Sequence, residues 1–309
     1  MIYGYLKKNV LSEMHDEAKT NRKHNQSIER LIEKYNDDMG IKNLKKDGIS
    51  SFKNFYDLKL IEAVKKDALK CIDDQKISRV RNRNSESKDD IQQGVFKYFS
   101  REDFVNPDFK IEEKANLVSI AEPFKNIPSL YKLVFNEKMI AYAASYFNAI
   151  PMVSFTKITM SYCNSLPDSD TQWWHVDFGA KNILKAVVYL NDVNSGGGPF
   201  SFIKGSHKKR FRGWHLRSRY DTEKLQTIYE RTGFYSAIAD AGDCVLADTS
   251  GFHKGEKPTK KSRLCLIFNF TMHPEVGFPW SKIKFPRNIY KKLSRHQRMV
   301  FSNDVFDVE

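Results

Sequence analysis

Apolar positions recur with two different periods in this chain, and the change of period divides it. In the first half the spacing is helical. Leu11, Met14 and Ala18, then Ile28, Leu31, Ile32 and Tyr35, punctuate a polar, Glu-, Lys- and Asn-rich stretch from Lys7 to Met39. They predict one or two amphipathic helices, with Gly40 as the stop. Asp47-Gly48 reads as a turn into a short strand around Ile49–Phe52. Leu60, Ile61, Val64, Ala68, Leu69 and Ile72 then predict a helix over Leu58–Ile72, and Leu130, Leu133, Val134, Ile140, Ala143, Ala144 and Phe147 another over Ile127–Phe147. Pro128 is tolerated in the first turn of the latter. Arg79 to Gln93 is charged, rich in Asn and Ser and aperiodic, which predicts a loop.

In the second half the runs are short and β-rich: Met152–Tyr162, Lys185–Leu190, Phe200–Ile203, Phe234–Ile238, Asp243–Ala247 and Leu264–Thr271. Gly, Pro, Asn and Asp bound them. Short strands at this spacing predict a mainly β fold with flanking helices, a sandwich or jelly roll. No internal repeat or low-complexity linker interrupts the chain. The expected organisation is one domain over 1–309, with a mainly helical part at 1–94, a β core at 95–275 and a C-terminal extension at 276–309. That extension is basic and aromatic, carries a helix near Arg287–Leu293 and is expected to pack on the core.

Composition permits this. Of 309 residues, 40% are hydrophobic and 22 are Phe, enough for a sizeable core, and the heavy but mixed charge argues against disorder. The net charge of +13 raises nucleic acid, anionic lipid or an anionic substrate as partners. The lysines are dispersed, however, and the densest pieces, such as Lys208-Lys209-Arg210 and Lys260-Lys261, are short. A solvated surface accounts for the scatter, so nucleic acid is disfavoured, and the positive balance leans only weakly toward an anionic small-molecule substrate. Cys71, Cys163, Cys244 and Cys265 form no CxxC pair and read as reduced thiols. Without an apolar leader at Met1–Lys8 or a run of ~18 apolar residues, a cytoplasmic protein with no membrane span is expected. Oligomeric state is not legible.

The chemistry concentrates in His175-Val176-Asp177, answered by His253 and then by Arg263 ten residues on. Two imidazoles and a carboxylate, with no cysteine, are the ligand set that holds Fe(II) by one face and leaves positions open opposite. An H-x-D triplet alone is weak; its surroundings strengthen it. On an extended segment His175 and Asp177 share a side. His253 follows the Asp243–Asp248 strand and its Thr249-Ser250-Gly251 turn, and Arg263 opens the next apolar strand. In a hairpin from His253 to that strand both side chains would face one cavity. A fixed guanidinium is the natural partner of a carboxylate, so the four residues together suggest an iron oxygenase that uses a keto acid.

Three blocks resemble the phytanoyl-CoA dioxygenase family. They are Trp173-Trp174-His175-Val176-Asp177 with Leu184 to Val193, then Gly197 to Lys208, and Gly242-Asp243 through Asp248 to Gly255, closing at Arg263. The resemblance implies a double-stranded β-helix, or cupin-like jelly roll, and an Fe(II)/2-oxoglutarate-dependent dioxygenase. It implies His175, Asp177 and His253 as iron ligands and Arg263 as the partner of the distal carboxylate of 2-oxoglutarate. Further cosubstrate contacts are expected from Lys157 to Tyr162, with Thr159 or Ser161 in that role. The implied reaction consumes O2 and 2-oxoglutarate, releases succinate and CO2, and hydroxylates or desaturates a small organic substrate. Halogenases resembling this family need a small residue where Asp177 stands, so halogenation is disfavoured. The alternatives are a non-catalytic ligand- or nucleic-acid-binding relative, which would be expected to have lost one of the four residues, and a Zn(II) or Mn(II) enzyme, which Arg263 argues against. Gln172, Trp174 and Phe178 flank the ligands and either shape the cavity or pack in the core. Gly196-Gly197-Gly198 reads as a turn, and His207 as structural or near the substrate entrance.

Overall fold

Side-chain alternation along the strands sorts them into two facing sheets. The computed structural model describes residues 26–74, 76–81, 110–168, 170–178, 180, 182–209, 211, 219–274 and 282–309. The expected helical stretch before residue 26 and residues 82–93 of the expected loop lie outside them. The larger sheet has seven strands: β1 (Ile49–Phe52), β2 (Ile77–Arg81), β3 (Leu117–Ile120), β4 (Met152–Ser161), β5 (Leu184–Tyr189), β8 (Cys244–Asp248) and β10 (Arg263–Thr271), in the order β1-β8-β5-β10-β4-β3-β2. The smaller one contains β6 (Phe200–Ile203), β7 (Phe234–Ala237) and β9 (His253–Gly255), in the order β7-β6-β9. Isolated bridges His175–His253 and Trp174–Tyr220 extend it beyond β9. The result is the expected jelly roll, and the larger sheet draws β1 and β2 from the part of the chain before residue 95.

Successive residues of a strand point to opposite faces. Along β5, Leu184, Ala186 and Val188 join the large cluster under the helices, whereas Val187 and Tyr189 join the cluster between the sheets. Along β10, Leu264, Leu266, Phe268 and Phe270 face the helices, and Cys265 and Ile267 face inward. Arg263 and Asn269 have the inward parity of Cys265, and Lys185 that of Val187. Register makes this concrete: Arg263 lies opposite Ser161, Cys265 opposite Thr159 and Tyr189, and Asn269 opposite Lys185.

The helices cover the outer face. Helix α1 (Gln26–Glu33) is followed by α2 (Met39–Asp47), whose N-cap Asp38 accepts from the Gly40 and Ile41 amides. Gly40 therefore opens a helix instead of stopping one; a Cβ there would come within 2.3 Å of the Phe52 ring. Helix α3 (Leu58–Asp73) buries Ile61, Val64 and Ala68 of the predicted stripe together with Cys71, while Leu60 and Ile72 are half-buried and Leu69 is exposed. Each large aliphatic side chain so buried contributes about 1.5–3 kcal/mol. The helix expected over Ile127–Phe147 is broken. Short turns at Pro128–Leu130 and Tyr131–Val134 precede α4 (Glu137–Phe147), because the Asn136 side chain accepts from the Lys138 and Met139 amides and starts a new helix. In the C-terminal extension, the expected helix begins at Arg287 but is short, Arg287–Tyr290, and a second short helix follows at Arg295–Met299. There β11 (Ile283–Phe285) and β12 (Phe306–Val308) pair in parallel, and Phe285, Ile289, Val300 and Phe306 join the large core.

Candidate metal centre and cosubstrate pocket

The site forms where the Trp174–Asp177 segment lies against β9. The His175 amide donates to the His253 carbonyl at 3.0 Å and the His253 amide returns the bond at 2.9 Å. A directly opposed antiparallel pair puts both side chains on one face, and the imidazole centroids are 4.2 Å apart. The Asp177 amide donates to the Thr249 carbonyl at 2.8 Å, which swings its carboxylate onto the same face. This differs from the expected hairpin: β9 pairs with β6 and the His175 segment, while β10 pairs with β4 and β5. His253 and Arg263 face each other across the sandwich.

Hydrogen bonding decides which nitrogens face the centre. His175 Nδ1 is 2.8 Å from the Trp173 carbonyl and His253 Nδ1 is 3.0 Å from the Gly251 carbonyl. A carbonyl only accepts, so each Nδ1 carries the proton and each Nε2 presents a lone pair. His175 Nε2 is 3.8 Å from Asp177 Oδ1, and His253 Nε2 is 3.5 Å from Asp177 Oδ2. The three potential ligand atoms all lie within 4.8 Å of one another. Two oriented imidazoles and one carboxylate fit a divalent first-row cation, and the carbonyls behind them are the outer contacts that hold such histidines in place.

Lys185 enters the same space from β5. Its Nζ is 2.5 Å from Asp177 Oδ2 and 3.5 Å from His253 Nε2. Burial works against ionisation of Asp177, but the Lys185 ammonium and the two imidazoles prevail and hold its pKa far below the usual carboxylate range. Burial, with some repulsion from Arg219 and Lys185, lowers the pKa of His253 to about 4. His175 is likewise lowered by burial and by the charges of His253 and Arg219. Both imidazoles are neutral at pH 7, the protonation state a metal requires.

A buried carboxylate supports the turn that carries His253. Asp248 accepts from Tyr146 Oη and Asn182 Nδ2 at one oxygen, and from the Ser250 amide and hydroxyl at the other. With the Asp248 charge beside it, burial pushes the Tyr146 phenol far up, so it stays a donor. Four donors on one carboxylate fix residues 248–250, and with them Thr249, which orients Asp177.

Arg263 is 7% exposed and forms no ion pair with a carboxylate among the described residues. Nη1 donates to the Gly198 carbonyl, Nη2 donates to Ser161 Oγ at 3.2 Å, and Nε has no partner. The guanidinium lies under Gly255, where an added Cβ would come within 3.0 Å of it. Gly255 is two residues beyond His253, on the same face of β9, which places the cation about 7 Å along the strand from that histidine. A buried guanidinium lacking a carboxylate is a site for an anion. Ser161 is the strand-β4 residue at Arg263. Thr159 stands one rung away, with Oγ1 3.5 Å from Cys265 Sγ.

The flanking residues divide. Trp174 points away from the centre, donating from Nε1 to Thr222 and packing edge-on against Phe234. It belongs to the core. His207 lies against Gly48, outside the metal centre. Lys185, Arg219, Gly198 and the Asp248 cluster were absent from the expected site. Lys185 carried a signal: it is the lone charge in an otherwise apolar strand.

A family model described as phytanoyl-CoA dioxygenase matches residues 44–265, most of the chain, and includes His175, Asp177, His253 and Arg263. The chain belongs to the phytanoyl-CoA dioxygenase family. It is an Fe(II)/2-oxoglutarate-dependent oxygenase with a jelly-roll fold. No curated protein matches it in sequence. Solved structures share the fold at low identity. The non-heme alpha ketoglutarate dependent carbocyclase SnoK from nogalamycin biosynthesis is 14% identical, with 75% of this chain and 83% of that chain covered and a TM-score of 0.54. The epimerase SnoN, solved with Fe3+, alpha ketoglutarate and nogalamycin RO, is 15% identical over 75% and 82%, with a TM-score of 0.53. AviO1 from Streptomyces viridochromogenes Tue57 is 15% identical over 75% and 93%, with a TM-score of 0.50. No helix among the described residues is long and apolar enough to cross a membrane.

Proposed function

We propose that this family member hydroxylates a small organic substrate bearing an anionic group, with His175, Asp177 and His253 as its iron ligands. The observation that carries the reading is the joint arrangement of two Nε2 lone pairs and one carboxylate beside a buried guanidinium with no carboxylate partner. Arg263 receives the distal carboxylate of 2-oxoglutarate, Ser161 supports it, and Thr159 lines the adjoining rung. The separation of about 7 Å between Arg263 and the histidine pair suits a five-carbon dicarboxylate whose keto-acid end reaches the metal.

When bound, iron with 2-oxoglutarate activates O2, releasing succinate and CO2 and oxidising a substrate C–H bond. The chain's own residues supply orientation and a shielded cavity. The carbonyls of Trp173 and Gly251 lock both imidazoles, and Asp177 occupies the third ligand position. Arg219 and Lys185 make the surroundings cationic, which favours an anionic substrate. Four unpaired cysteines, three of them buried, suit a reducing, cytoplasmic setting.

The test is anaerobic addition of Fe(II) and then 2-oxoglutarate, followed by visible absorption. A metal-to-ligand charge-transfer band is expected, lost in His253→Ala and weakened at least tenfold in 2-oxoglutarate affinity in Arg263→Met. A folded, iron-loaded protein without the band would refute the assignment.

A further inference from the structure

Lys185 occupies the space that a metal ion would share with Asp177 and His253. Its ammonium is 2.5 Å from a carboxylate oxygen and 3.5 Å from the Nε2 lone pair of His253. An ion bonded to both atoms at about 2 Å leaves no room for Nζ there, so one cation must displace the other. The lysine is held in this place by its strand. Lys185 has the inward parity of β5, its backbone is paired on both sides with Asn269 and Ala247, and its side chain is 14% exposed. Its flexible four-carbon stem still lets the ammonium withdraw from Asp177 while remaining inside the cavity.

The surrounding charge gives this displacement a consequence. Arg219 acts on both histidines, and Arg263 is buried across the cavity. The Lys185 ammonium, in contact with Asp177, and the carboxylate-free Arg263 guanidinium thus share the cavity with the Asp177 carboxylate. A divalent metal arriving alone adds two more positive charges and severs the ion pair between Lys185 and Asp177. A dicarboxylate arriving with it restores the balance and offers the displaced ammonium a new anion at the metal.

We propose that Lys185 is a positioning residue that holds the metal site against a bare cation and couples metal loading to arrival of the 2-oxoglutarate dianion. This rests on the assignment of His175, Asp177 and His253 as ligands. In the metal-free protein Lys185 neutralises Asp177. With metal and dianion bound it pairs with the keto-acid end of the cosubstrate.

Mn(II) binding, read from the EPR signal of the free ion with and without saturating 2-oxoglutarate, separates the two ideas. In the wild-type protein 2-oxoglutarate is expected to tighten Mn(II) binding strongly. Lys185→Met is expected to bind Mn(II) alone about tenfold tighter, and the tightening by 2-oxoglutarate is expected to shrink by about tenfold. By reciprocity, 2-oxoglutarate affinity for the Mn(II)-loaded variant gains correspondingly less from the metal. An unchanged enhancement by 2-oxoglutarate in Lys185→Met would overturn the role of Lys185 while leaving the ligand assignment intact. Absence of Mn(II) binding both in the wild-type protein with saturating 2-oxoglutarate and in Lys185→Met would instead refute the ligand assignment itself. Circular dichroism confirms folding; should Lys185→Met fail it, Lys185→Gln carries the same comparison.

Discussion

At the scale of single residues, the metal centre is assembled at a cost to proton affinity that a pH titration can read. His253 is buried and neutral, with its pKa near 4, against about 6.5 in an unfolded chain. Between those values the unfolded state binds a proton that the folded state refuses. Stability of the metal-free protein therefore falls as pH drops from about 6.5 to about 4, with ~3 kcal/mol attributable to this group; His175 acts in the same direction. Urea midpoints at pH 7, 5.5 and 4.5 should decline, and His253→Gln should decline less steeply than wild type. Equal slopes would show that His253 is not the group responsible. The grouping of His175, Asp177 and His253 was legible because an H-x-D triplet puts an imidazole and a carboxylate on one side of an extended segment and His253 follows at the end of another strand, a pattern that His207 and His215 in the same stretch do not share. Lys185 was legible only as the lone charge in the run Leu184–Tyr189; pairing with β10 was needed to show that its parity faces inward. Arg219 belongs to no motif and is recognised only through its field on the histidines.

At the scale of elements, the turn before β6 does more than reverse the chain. Gly198 sits at φ +70°, and a Cβ there would lie 2.4 Å from the Glu256 carbonyl oxygen and 2.7 Å from the Pro258 nitrogen. Its own carbonyl accepts from Arg263. Gly198→Ala is therefore expected to cost about 1–2 kcal/mol for the left-handed conformation alone, plus displacement of backbone on the far side. It should weaken 2-oxoglutarate binding more than Mn(II) binding, because the shift is felt first at Arg263. Calorimetric titration of both ligands checks this, and an equal effect on the two would count against the geometry. Strand runs were the most legible elements: Phe200–Ile203 matches outright, and β4, β5, β7, β8 and β10 differ at their ends by a residue or so. The helix over Ile127–Phe147 misled because α4 is buried almost all round, so apolar residues continue through the break and hide the cap at Asn136. The expected hairpin between His253 and Arg263 misled for another reason. Chain adjacency favours local pairing, but His175, far away in sequence, is the partner β9 takes.

For the whole molecule, the main question is whether the helices and the C-terminal extension are accessories or part of the structure that supports the site. The large hydrophobic cluster joins Ile41, Leu44, Ile61 and Val64 of the N-terminal helices to Leu246 and Phe268 of the sheet and to Phe285 and Phe306 of the extension. Strand β1 pairs with β8 along its length, Ile49 with Ala247 through Phe52 with Cys244. Asp248, at the end of β8, then donates its amide to the Gly48 carbonyl just before β1. The strand that leads into the His253 turn is thus held on one side by residues before 95. We propose that residues 1–309 behave as one folding unit, and that the metal centre depends on it. Differential scanning calorimetry of the whole chain should show a single transition. A fragment beginning at residue 95 should lack it, because it leaves one edge of β8 unpaired and exposes the apolar surface that α2 and α3 cover, an arrangement prone to aggregation. Mn(II) binding by the fragment should be lost together with the transition. A soluble 95–309 fragment that unfolds cooperatively and binds Mn(II) as tightly as the full chain would show that the jelly roll alone builds the centre, with the N-terminal helices as a separable cover.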